Sequence, residues 1–173
     1  RSFHHNKPVS GVTERKFMKV KPSTAASPQK VQPGLQLSYY EGKWDSIPAF
    51  RSMTATESGL METVSPGKYK GREKYGLLME GFIKLEKADV YHFYLSSDDG
   101  SILYIDGKQV VNNNGLHGMV EQKGTVALTA GLHTIRIEFF EKTGGDDLQL
   151  FIESRDSKKR EVPAAMLFHQ AGI

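Results

Sequence analysis

The stretch from Tyr91 to Val111, YHFYLSSDDGSILYIDGKQVV, constrains the fold most. Tyr91, Phe93 and Leu95 alternate with His92, Tyr94 and Ser96, the period-2 pattern of a half-buried strand. Ser97-Asp98-Asp99-Gly100 breaks that strand, and Ile102 to Ile105 resume it. Asp106-Gly107 then supplies the positive φ angles of a tight hairpin. Two adjacent carboxylates at the break repel each other. Backbone N–H donors, water, a basic side chain or a bound cation must offset their charge. The turn at Asp98-Asp99 is therefore the first candidate for function.

The same alternation recurs along the chain. Leu35, Leu37 and Tyr39 mark one strand and Leu77 to Leu85 another, with Gly81 as a candidate bulge. Gly124 to Leu128, His133 to Phe140 and Leu148 to Ile152 follow, and Ile135, Ile137 and Phe139 share one face. Trp44 to Pro66 has no clear period, and Lys68 to Tyr75 reads as a surface loop. Pro163 to Phe168 reads as a helical turn or a last strand. Tyr39 and Tyr40 are adjacent, so a regular strand cannot turn both inward, and one of them is expected at the surface. Short strands split by Gly, Asp and Asn turns, with no competing helical period, predict an all-β antiparallel sandwich or barrel.

Ahead of this body, Lys21 to Gly34 is a linker with three prolines and no periodicity, so it should be extended. The expected organisation is a tail over 1–20, a linker over 21–34 and one sandwich over 35–170. The chain begins with Arg1 rather than Met and reads as a piece of a longer protein. It holds no cysteine, which excludes disulfides, thiol catalysis and cysteine-ligated zinc. Its net charge of +3 is dispersed, and Lys158-Lys159-Arg160 reads as a solvated strand end or turn. Without a basic stripe interleaved with aromatics, no nucleic-acid partner is expected. No apolar run is long enough to enter a membrane.

These motifs carry a resemblance. The strand into Asp98-Asp99-Gly100, the Ile105-Asp106-Gly107 hairpin, the Leu128-Thr129-Ala130-Gly131-Leu132-His133 turn and the Ile135-x-Ile137-x-Phe139 strand resemble, in order, the PA-14 module. This is the β-sandwich named after the anthrax protective antigen, and the likeness spans roughly Pro33 to Phe168. A second resemblance covers Arg1 to Lys19, on Arg1-Ser2-Phe3, Ser10-Gly11-Val12 and Phe17. It is to the last strands of a small module that follows the catalytic domain in chitobiase-type β-hexosaminidases. Together they imply an exported family-20 glycoside hydrolase (a β-N-acetylhexosaminidase) as parent, with this chain as its accessory module. The partners implied are a glycan and the parent's catalytic domain.

In sugar-binding PA-14 members the matching Asp pair is joined by a cis peptide and coordinates calcium, which then binds sugar hydroxyls. The resemblance thus implies Ca²⁺ at Asp98 and Asp99. The alternative is a turn in which Asp98 caps and Asp99 accepts from backbone N–H groups. Further sugar-binding candidates are Asp146 and Asp147, in the Glu141 to Asp147 loop that supplies calcium ligands in the adhesin-like members. They stand where those adhesins carry asparagine. His117, with Asn112 to Asn114, offers an imidazole and amides to sugar hydroxyls or, equally, to its own loop. Trp44, Tyr39, Tyr40, Tyr69 and Tyr75 could stack on sugar rings or fill the core. His133 is expected to pack or cap.

No pair of acids is set apart as the two carboxylates a glycosidase holds about 5–9.5 Å apart, so the chain is not expected to be an enzyme. The expected function is a non-catalytic carbohydrate-binding accessory module, possible calcium assistance included. The alternative is a structural spacer or docking module, which would show a flat apolar patch.

Overall fold

The structure, a computed structural model, describes residues 21–171 and a backbone pairing of β1 (Phe3–His4) with β2 (Lys7–Pro8). Apart from that pairing, the expected tail over 1–20 lies outside the described residues. The body is an antiparallel β-sandwich, as the alternation predicts. Its strands are β3 (Val31–Pro33), β4 (Leu35–Glu41), β5 (Glu57–Met61), β6 (Tyr75–Leu85), β7 (Asp89–Asp98), β8 (Ser101–Ile105) and β9 (Lys108–Asn113). They continue with β10 (Val120–Leu128), β11 (Gly131–Glu141), β12 (Asp147–Ser154), β13 (Ser157–Glu161) and β14 (Leu167–Gln170).

One sheet runs β10-β7-β12-β13. The other runs β3-β14-β6-β11-β8-β9, with β4 on β6 and β5 on β4. Tyr91, Phe93 and Leu95 face Ile135, Ile137 and Phe139 across a single core that also takes Leu77, Met79, Leu148 and Leu150. Lys158-Lys159-Arg160 lie on β13, an edge strand, where charge blunts pairing with other chains. Pro163 to Phe168 is both things expected, a helical turn at Ala164–Met166 leading into β14.

Three local expectations are corrected. Gly81 is not a bulge, because the β6–β11 register runs through it without a shift. It marks where the other edge of β6 changes partner, from β4 (Tyr75 to Glu80) to β14 (Phe82 and Ile83). A Cβ there would lie 2.2 Å from the Phe168 carbonyl oxygen. Tyr39 and Tyr40 are both buried. Tyr39 joins the main core, while Tyr40, on the other face, packs with Phe50, Leu78 and Phe140 in a second cluster. Trp44 and Ile47 close over that cluster. The patternless Trp44 to Ala55 segment thus covers the outside of a sheet that would otherwise expose aromatic residues. Finally, the Lys68 to Tyr75 loop is not wholly superficial, since Tyr69 and Tyr75 are buried and Tyr69 stacks on Tyr39 with centroids 4.2 Å apart.

Lys21 to Gly34 is extended, as its prolines require, and it is held. Ser23 donates to Ala127 O (2.9 Å) and accepts from Thr129 N (3.1 Å), and Ala26 donates to Leu132 O (2.6 Å). Ala25 N donates to Thr129 Oγ1 (3.0 Å). Leu128 pairs with Asp89, so this strap lies at the Asp89 end of β7. Asp98 is at the other end of the ten-residue strand, roughly 30 Å away at about 3.3 Å per residue.

Candidate functional site

The Asp98 end of the sandwich gathers three connections. They are the β7–β8 turn at Asp99-Gly100, the β9–β10 loop around Asn114 to Met119, and the β11–β12 loop from Lys142 to Asp146. Gly100 lets them meet. A Cβ on it would fall 2.5 Å from Phe140 Cε1 and 2.8 Å from Gly115 N.

Asp99 is the knot between the loops. Its Oδ1 accepts from His117 N (3.1 Å) and its Oδ2 from Lys142 N (3.0 Å). Its own N–H donates to Glu141 Oε2 (3.1 Å). The Asp98–Asp99 peptide bond is cis. Asp98 sits beside two glycines: a Cβ on Gly145 would be 3.0 Å from Asp98 Oδ2, and one on Gly118 would be 4.0 Å away.

Carboxylate oxygens of Asp98, Asp99 and Glu141 lie within 4.8 Å of one another. Glu141 is fully buried and its Oε1 has no hydrogen-bond partner. Burial, with Asp99 and Asp98 beside it, pushes the Glu141 carboxyl up to about 8. Burial, then Asp99, also raises Asp98 above the usual aspartate range. Among the described residues no lysine or arginine pairs with the three. Lys142 Nζ reaches Asp45 (2.7 Å) and Lys70 Nζ reaches Asp147 (3.5 Å). Hard carboxylate oxygens in a like-charged, partly desolvated group fit a divalent cation such as Ca²⁺.

Of the residues the sequence singles out, the structure brings Asp98 and Asp99 together and adds Glu141. The signal for Glu141 was present: Ile135, Ile137, Phe139 and Glu141 share one parity, which puts a carboxylate on a core-facing face. Asp146 is placed outside the trio. Its carboxylate accepts from Gly71 N (3.0 and 2.8 Å) and from the Tyr75 hydroxyl (2.8 Å). Burial and this aspartate hold the Tyr75 phenol far above its ordinary range. Asp147 pairs with Asp98 across the strands, and its Oδ1 accepts from Leu148 N (3.0 Å).

His117 borders the site through its backbone, while both ring nitrogens are engaged by carbonyl oxygens, of Gly118 (2.9 Å) and Asn113 (2.9 Å). Asn113 is buried and donates to Ser97 Oγ and Val120 O. Asn112 accepts from Asn114 N, and Asn114 accepts from Ile47 N. Tyr39, Tyr40, Tyr69 and Tyr75 are core residues, and Trp44 packs edge-on against Phe50. His133 is fully buried and ties Asp106 Oδ2 (2.8 Å) to Thr129 O (3.0 Å).

The PA14 domain family matches residues 31–165. The chain belongs to the PA14 domain family. It is similar to the anti-sigma-I factor RsgI3 of Acetivibrio thermocellus, 23% identical over 109 residues, covering 62% of this chain and 17% of that protein. Among solved structures it is similar to an anti-sigma factor domain-containing protein (TM-score 0.70, 19% identity, 82% of this chain and 50% of that one). It also superposes on a PA14 sugar-binding domain from an RTX adhesin (TM-score 0.67, 18% identity, 79% of this chain and 98% of that one). The chain thus spans only a minor part of RsgI3 and half of the first structure, and nearly the whole of the adhesin domain. At these identities the structural likenesses show the fold.

Proposed function

We propose that this PA14 domain is a non-catalytic carbohydrate-binding module whose site is the Asp98, Asp99 and Glu141 cluster, with Ca²⁺ as the bridge to sugar hydroxyls. The observation that carries this is Glu141 Oε1, a buried carboxylate oxygen with no partner, beside two more carboxylates with which, among the described residues, no lysine or arginine pairs. A bound calcium ion would supply the missing positive charge and leave coordination positions for vicinal hydroxyls. Asp98, Asp99 and Glu141 would hold it. Asp147 and the 141–147 loop would line the ligand, and Asp146 and His117 would keep the loops in place. The adhesin domain with the same fold is named as sugar-binding.

The spacer alternative calls for a flat apolar face toward the rest of the parent. Leu116, Met119 and Val120 are exposed together, but on the acidic-site end. The strap joins at the opposite end, beside Leu128 and Leu132.

The parent proposed is an exported glycoside hydrolase of the family-20 type. That assignment rests on the Arg1 to Lys19 resemblance taken together with the PA-14 likeness. The anti-sigma relatives offer a second setting, in which the same module would give a signalling protein its contact with glycan.

The deciding experiment is calorimetric titration of the chelator-stripped chain with Ca²⁺, followed by a glycan screen with and without the metal. Stoichiometric binding that Asp98→Asn abolishes is expected. Asp98 has no side-chain hydrogen bond to lose among the described contacts, so this variant keeps the loops that Asp99 ties. Absence of binding at millimolar Ca²⁺ would reduce the acidic turn to a loop-building device.

A further inference from the structure

The β9–β10 loop carries a feature that a cation site does not need. Leu116 and Met119 are each 48% exposed and Val120 is 38% exposed. They make up half of the six large hydrophobic residues exposed among the described residues, within five consecutive positions. Single exposed hydrophobics are ordinary, but a run of them beside a polar site is not.

Their position is fixed. His117, between them, donates its backbone N–H to Asp99 Oδ1 (3.1 Å). Its ring nitrogens lie 2.9 Å from Gly118 O and 2.9 Å from Asn113 O, so the ring packs against its own loop. Gly118 leaves an opening in front of Asp98 Oδ2, where even an added Cβ would stay 4.0 Å away. Leu116 and Met119 flank His117-Gly118 in sequence, and Gly118 is the position that stands in front of Asp98. The cluster also holds the unpartnered, buried Glu141 Oε1. A ligand that brought hydroxyls to the carboxylates would come close to the loop that carries Leu116 and Met119.

We propose that Leu116, Met119 and Val120 are the specificity-determining flank of the site. They select a pyranose that carries a methyl-bearing substituent, acetamido or 6-deoxy, over the unsubstituted hexose. This rests on the glycan-binding reading above. The polar cluster supplies orientation, the flank supplies discrimination, and the two together form the usual division of labour in a ligand site. Covering one methyl-sized group on this flank gives about a fourfold preference.

The test uses the full chain with saturating Ca²⁺ and NMR titration of methyl glycosides in matched pairs. The pairs are N-acetylglucosamine with glucose, and 6-deoxygalactose with galactose of the same hand. Tighter binding of the methyl-bearing partner in at least one pair, by about fourfold or more, is expected, and the pair that shows it tells which substituent is read. In L116S/M119S the ratio should fall to about one. Its urea midpoint should stay near wild type, because exposed apolar-to-polar changes cost little. Equal binding of both partners in both pairs, or a preference that survives the double substitution, overturns the flank and leaves glycan binding intact. No binding of any of the four sugars overturns both readings.

Discussion

Residue by residue, the acidic end is organised against its own charge, and that has consequences for pH. Glu141 has an ordinary value of 4.5 in an unfolded chain and about 8 in the folded one. The folded state therefore holds this proton more tightly. The group's contribution to stability is complete below pH 4.5 and is lost as pH rises to about 8. Asp98, shifted in the same direction, likewise loses its contribution as pH rises above the ordinary aspartate range. In chelator, the melting temperature should decline from pH 5 to pH 8, and Glu141→Gln should flatten the decline. A wild-type profile that rises over this range would contradict the burial assigned to Glu141. Gly100 offers a second measurement. An alanine methyl there meets Phe140 Cε1 at 2.5 Å and the Gly115 backbone at 2.8 Å. Backbone cannot yield as a side-chain tip can. Gly100→Ala should cost about 1–3 kcal/mol in urea unfolding, and a neutral result would mean the loops are not packed as described.

At the scale of elements, alternation made β6, β7, β8, β11 and β12 legible, because each keeps one face in a single core. It failed where two faces are buried. Tyr39-Tyr40 broke the one-side rule because Trp44 to Ala55, which has no period of its own, folds back to cover Tyr40, Leu78 and Phe140. Covering segments of this kind carry no regular pattern, since their contacts are made by single residues such as Phe50. The same limit applied to the site. Asp98 and Asp99 stand out as neighbours in sequence, whereas Glu141 joins them only through the fold, and Asp146 turns away to Gly71 and Tyr75. Lys21 to Gly34 looked like a free linker because its anchors are backbone bonds, which composition does not reveal. The anchoring is measurable. Thr129→Val removes the acceptor of Ala25 N, a loss of about 1 kcal/mol confined to the strap. Hydrogen exchange at Ala25 and Ala26 should quicken about fivefold while exchange at Phe93 and Ile137 stays slow. Free-peptide exchange at Ala26 in the wild type would show that the strap is not held.

For the molecule as a whole, the two ends of the sandwich have separate duties. The strap meets the body beside Leu128 and Leu132, at the Asp89 end of β7. The acidic cluster and the exposed Leu116 and Met119 lie at the Asp98 end. Between them stand two hydrogen-bonded sheets packed around the main core, a separation of roughly 30 Å along β7. Ser23 and Ala26 of the strap thus meet the body at the end that holds none of the acidic cluster. A module meant to complete a neighbour's cleft would carry its loops beside the strap. This one carries them at the end opposite Ser23 and Ala26, which suits the proposed reading of a module that takes its glycan from the surroundings. Calcium and sugar affinities should accordingly agree within about twofold between residues 21–173 alone and a longer chain that includes whatever precedes them. Calorimetry on the two forms decides it. A tenfold gain in the longer form, about 1.4 kcal/mol, would require contacts from the neighbour at the site, and the reading of a module that takes its glycan from the surroundings would then be wrong.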